Sequence, residues 1–199
     1  RRLAGVVGDD KLLEVISGTG RIDILWRPIA QTQINPHLFI GDSEIVIDQF
    51  SFVINDLLKG LQIPIYRIAL GMHFIKSSKD KVDSYRLLGK LLPVDIDPVA
   101  SKDFMYQINC PTIFNQNGQD FELNRLMRWS AIEVRQFPEG SPQIGLVSEV
   151  TPKSNSYILC EVDNSSPAEP IAVFDKESLL GVFSKLVDLA YVSLQGGKS

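Results

Sequence analysis

A short stretch of this chain gathers the side chains best suited to hold an anion or an aromatic group: Asn124, Arg125, Arg128, Trp129 and Arg135, with Glu133 among them. Arginines beside an indole can grip phosphate or carboxylate while the ring stacks on a base or a peptide group. The plainer account puts Trp129 in the core and pairs the arginines with Glu122 and Glu133 across a sheet, and it is the preferred one. A second polar set lies in PIYRIALGMHFI, where Arg67 and His73 alternate with Tyr66, Met72 and Phe74. Strand side chains alternate between two faces, so Arg67 and His73 are expected to project away from the apolar set. The candidate partner-binding or ligand-binding residues are therefore Arg67, His73, Arg125, Arg128, Trp129 and Glu133.

Reaction signatures are missing. His37 and His73 are the only histidines and have no metal-type spacing, so no metal site is assigned. Asp95 and Asp97, between Pro93 and Pro98, could offer carboxylates to a hard cation, but a turn leaving a helix explains them better. Gly18-Thr19-Gly20 lacks the third glycine and the lysine of phosphate loops, and no Gly-x-Ser-x-Gly elbow occurs. Cys110 and Cys160 are far apart with no Cys-x-x-Cys spacing, which points to reduced, inert thiols. No catalytic residue and no cofactor is expected, and the balance leans against an enzyme.

The elements that must position the polar residues follow from periodicity. RIDILWRP (Arg21 to Pro28) reads as a strand with a charged back, preceded by a short apolar run from Lys11 to Ile16 and a breaker. Asp42 or Ser43 can cap a helix running to about Lys59, with an apolar stripe at Val46, Phe50, Val53, Ile54 and Leu57 and with Gly60 at its end. After the Pro64 to Ile75 strand, Ser77 or Ser78 can cap a second helix that Pro93 stops. Period two returns from Phe104, a turn is expected at Asn117-Gly118, and a long extended run follows from Phe121 to Phe137. Its apolar residues change parity near Trp129, which predicts a β-bulge or bend. Shorter strands are expected at Ile144 to Val150 and Tyr157 to Val162. A final helix starts at Asp175, with Phe174 and Leu179 spaced as a hydrophobic staple and Leu179, Val182, Phe183, Leu186, Val187 and Ala190 as its stripe, ending before Gly196-Gly197. The order is β-α-β-α-β-β-β-β-α: an α+β domain with a mainly antiparallel or mixed sheet of about five to seven strands and helices on one face.

With 44% hydrophobic and 22% charged residues, the 199-residue chain is expected to fold as a single globular domain. Its net charge of −4 disfavours nucleic acid and anionic membrane. No apolar run reaches the length of a spanning helix and the start has no signal-peptide pattern, so a cytoplasmic location is expected. The chain opens on Arg1 rather than methionine, which is compatible with a longer or processed parent.

Four stretches carry a resemblance: RIDILWRP, RIALGMHFI with SYRLLGKLLPVDID, DFMYQINCP leading to LNRLMRWSAIEV, and LCEVDNSS. In that order and spacing they resemble a sporadically distributed family of uncharacterised prokaryotic proteins, small α+β domains with no assigned activity. The resemblance implies a bacterial, cytoplasmic origin and carries over no catalytic or ligand residue. The expected function is a non-enzymatic module that binds another protein or itself. The alternative is a small-ligand-binding protein or enzyme with a pocket between a bent sheet and the C-terminal helix.

Overall fold

The computed structural model describes residues 1–7, 11–18, 21–28, 40–136, 153–167 and 173–194. The chain divides into two compact units, Arg1–Phe50 and Ser51–Ser199. In the first unit, β1 (Arg2–Val7), β2 (Lys11–Gly18) and β3 (Arg21–Pro28) form an antiparallel sheet in sequence order. Only β3 was expected from alternation. β2 hides its period because Glu14 stands on the same face as Leu12 and Ile16. That glutamate is 2% exposed and lies between Arg2 and Arg27, whose Nε approaches Glu14 Oε2 at 2.6 Å. Hydrogen bonding from Arg27, reinforced by Arg2, holds the Glu14 carboxyl below its ordinary range despite burial.

Helix α1 (Ser43–Gly60) starts where expected, with Asp42 Oδ1 accepting from Glu44 N at 3.0 Å. Its buried residues are Ile47, Ile54 and Leu58, whereas Val53 and Leu57 are exposed. The expected stripe was therefore rotated: α1 carries apolar residues around most of its circumference, and spacing alone could not select the buried ones. Midway along the helix, the Phe50 ring stacks on Trp26 of β3.

The second unit holds β4 (Ala69–Ser78), α2 (Lys81–Leu91), β5 (Met105–Asn109), β6 (Thr112–Gln116), β7 (Gln119–Gln136), β8 (Lys153–Ser165) and α3 (Lys176–Leu194). The sheet order is β4-β8-β7-β5, with β6 also paired to β7, and every pair is antiparallel. Asn117 and Gly118, with φ of 54° and 81°, join β6 to β7. Two consecutive positive φ values are what the tight hairpin turn demands, and Asn-Gly meets that demand. The expected bulge at Trp129 is absent. β7 pairs with β8 without interruption from Asn124↔Ser165 to Gln136↔Lys153. Leu123, Met127, Trp129 and Ala131 share one face, and Ile132 and Val134 lie on the other, so the change of parity is a change in which face is apolar.

Helix α2 starts later than expected, because β4 runs on to Ser78 and Asp80 caps the helix by accepting from Asp83 N at 2.8 Å. Tyr85, Leu88, Leu92 and Ile96 then pack on Met127, Trp129, Ile158, Cys160 and Val162. Burying each such side chain contributes roughly 1.5 to 3 kcal/mol. Helix α3 buries Leu179, Val182, Phe183, Leu186, Val187 and Ala190, as its stripe predicted. It covers the same sheet face, where Asn164 Nδ2 donates to Leu186 O at 3.1 Å. At Gly181 the helix comes so close to β6 that an added Cβ would lie 2.6 Å from the Gln116 side chain. The fold is α+β with antiparallel sheets and helices against one face. The expected Ile144 to Val150 strand, His37, Phe137 and Gly196-Gly197 lie outside the described residues.

Candidate functional site on the open sheet face

Strand register decides which side chains meet. His73 pairs with Glu161, Glu161 with Arg128, and Arg128 with Gln107, so these residues form one row across β4, β8, β7 and β5. All lie on the face opposite α2 and α3. Arg128 NH1 donates to Glu161 Oε2 at 3.1 Å and its Nε to Gln107 Oε1 at 3.0 Å. His73 Nε2 stands 3.6 Å from Glu161 Oε1. The Glu161 carboxylate thus uses its two oxygens toward two different strands. The row borders exposed Gly71, Asp163, Asn109 and Met105, with half-buried Ile75, Leu126 and Leu159 between them.

The structure brings His73 and Arg128 into this row and separates the other sequence candidates from it. Trp129 is 5% exposed and packs in the α2 core, as the plainer account expects, but Arg128 pairs with Glu161 and Gln107 rather than with Glu122 or Glu133. Arg125 shares Trp129's helix-covered face, and its backbone N donates to Asn109 Oδ1 at 3.1 Å. Glu133 falls on that face too, at the far end of β7, and accepts from Ser154 Oγ. Arg67 precedes β4 and is exposed; its Nε donates to Ser166 O at 3.4 Å. The Arg135 side chain lies outside the described residues.

Sequence reasoning missed Glu161 and Gln107. The signal was present, since Glu161 alternates with Cys160 and Val162 and Gln107 with Tyr106 and Ile108. Only the pairing register could join them to Arg128. Behind Glu161, the Cys160 thiol is pushed up to about 12, first by burial and then by that carboxylate, so it stays protonated. The Asp95 and Asp97 pair resolves into a turn: Asp97 Oδ1 accepts from Ala100 N at 3.0 Å and Val99 N at 2.9 Å, which holds its carboxyl low. Among the described residues, no cluster of histidine, cysteine and acidic side chains is arranged to hold a metal ion, and no helix is long and apolar enough to cross a membrane. Compared with protein-family models, curated proteins and solved structures, the chain matches none.

Proposed function

We propose that this chain is a non-enzymatic partner-binding or assembly module of the bacterial cytoplasm, and that it docks a protein partner on the open face of its five-stranded sheet. The observation that carries the reading is the lateral geometry of the polar row. Glu161, Arg128 and Gln107 bond one another along a broad sheet surface, with His73 3.6 Å from Glu161, rather than converging on one reacting atom. Polar groups already held in place, with apolar Ile75, Leu126, Leu159 and Met105 beside them, are the composition of a docking surface. Free Cys110 and Cys160 fit a reducing compartment. The test is Arg128→Ala, titrated against the purified partner recovered with the wild-type chain. Affinity should fall by about 2 kcal/mol or more, as at interface hot spots. Unchanged affinity would remove the row from the interface.

One observation favours a second reading, a small-ligand site under α3. Asn164 is fully buried, and its Oδ1 has no hydrogen-bond partner among the described residues. A ligand or water donor would satisfy it. Native mass spectrometry of the purified chain would reveal a bound molecule, and a bare-chain mass would leave water as the donor.

A further inference from the structure

The outer edge of β4 carries an inference of its own, independent of the open face. Ser166 N donates to Ile68 O, and this pair shares the register of β4 with β8. In an antiparallel ladder alternate residues bond to the same neighbour, so Leu70, Met72, Phe74 and Lys76 direct their backbone groups to β8. Ala69, Gly71, His73, Ile75 and Ser77 direct theirs outward, and among the described residues no strand receives them. The edge also lacks the usual guards against pairing, having no proline, no bulge and only Lys76 as a fixed charge.

We infer that β4 pairs antiparallel with β4 of a second copy of this chain, about a two-fold axis at Met72, joining the two sheets into one. The strand is complementary to itself in this register. On the open face, His73 lies opposite Gly71 of the second copy and Ile75 opposite Ala69, so a large residue meets a small one at each position. On the helix-covered face, Leu70 meets Phe74, Met72 meets Met72, and Lys76 meets Ile68. The two-fold makes every contact off the axis occur twice, as a closed dimer requires.

The polar groups along the edge fit the same occupant. Gly71 pairs with exposed Asp163 of β8 within each copy. Adjacent strands lie about 4.8 Å apart, so His73 would face the second copy's Asp163 across about 10 Å with only a glycine between them. Each copy therefore offers an acidic group to the other's imidazole, which already stands beside Glu161.

The experiment is sedimentation equilibrium of the full chain over a concentration series, beside two variants. A Cβ at Gly71 would meet only Val162 O at 3.9 Å, so Gly71→Lys should fold as the wild type does. In the dimer its side chain would fill the space that the glycine leaves opposite His73, and the dissociation constant should rise about tenfold or more. As a second reading of register, Met72→Cys in a Cys110→Ser background should form a disulfide between copies on oxidation. Directly opposed residues of a non-hydrogen-bonded pair have Cα atoms about 4.5 Å apart, within disulfide range. A dimer weakened by Gly71→Lys and locked by Met72→Cys would bear the pairing out. A wild type monomeric throughout, a dimer indifferent to Gly71→Lys, or a Met72→Cys chain that never cross-links would overturn it. Because Arg128 lies on β7, two strands from this edge, Arg128→Ala separates failure of this pairing from failure of the docking face.

Discussion

Arg128 and Glu161 are 38% and 30% exposed, so water screens their attraction and the pair contributes little to folding. Partly exposed ion pairs are worth about 0 to 1 kcal/mol, and Arg128→Ala should lower unfolding free energy by no more than that. A larger loss in denaturant titration would make Arg128 a structural residue. Cys160 has the opposite character. With its thiol pushed up to about 12, it should resist alkylation at pH 8 in the folded chain and react once the chain is unfolded. Labelling at Cys160 under native conditions would contradict the packing of Met127, Trp129 and Tyr85 around it. Asp175 and Glu14, with Asp97, contribute to the acid limb of stability. Hydrogen bonds from Ser178 to Asp175, and from Arg27 to Glu14, place both folded carboxyls below their ordinary values of 3.8 and 4.5. Their stabilisation is therefore complete above those values and is lost as pH falls through the folded ones. Asp175→Asn keeps a neutral cap but removes the titration, so it should flatten the acid limb by lowering stability at pH 7 toward the level the wild type has once Asp175 is protonated. An unchanged acid limb would show that Asp175 does not contribute to it.

Helix α3 is the element whose role was most legible in advance. Its stripe survives intact because Leu179, Val182, Phe183 and Leu186 meet a single broad surface, and Phe183→Ala should cost about 3 to 5 kcal/mol. A loss under about 1 kcal/mol would make the helix peripheral. Helix α2 depends more on its start, and Asp80→Ala should cost about 1 kcal/mol through loss of the bond from Asp83 N. Unfolding curves that overlay the wild type would reassign the cap. Helix α1 was misread because Ile45, Val46, Ile47, Phe50, Phe52, Val53 and Ile54 leave few polar positions to define a back. β1 and β2 escaped notice for a related reason: a buried charge, Glu14, interrupts the apolar set, and the arginines that neutralise it come from different strands. The parity change in β7 was real in sequence but misassigned to a bulge, because two-sided burial along a long strand imitates a slip in register.

At the scale of the whole molecule, alternation in the sequence marks one dry and one polar sheet face and places His73 on the polar one. It could not assemble the row. Arg128 and Trp129 are sequence neighbours on opposite faces, while Glu161, Gln107 and Arg128 come from three strands whose alignment depends on the Asn117-Gly118 turn and the long β7–β8 ladder. Local spacing carries face, whereas contact across strands requires register. The docking account places function on that assembled surface, and site-specific photo-cross-linking in cells tests it most directly. A photoreactive residue at Gln107, exposed on the open face and remote from the β4 edge, should yield discrete adducts with a partner protein. The same residue at Arg86, exposed on α2 beyond the other sheet face, should yield none. Adducts at Arg86 with none at Gln107 would contradict the account and move the interface to the helical side.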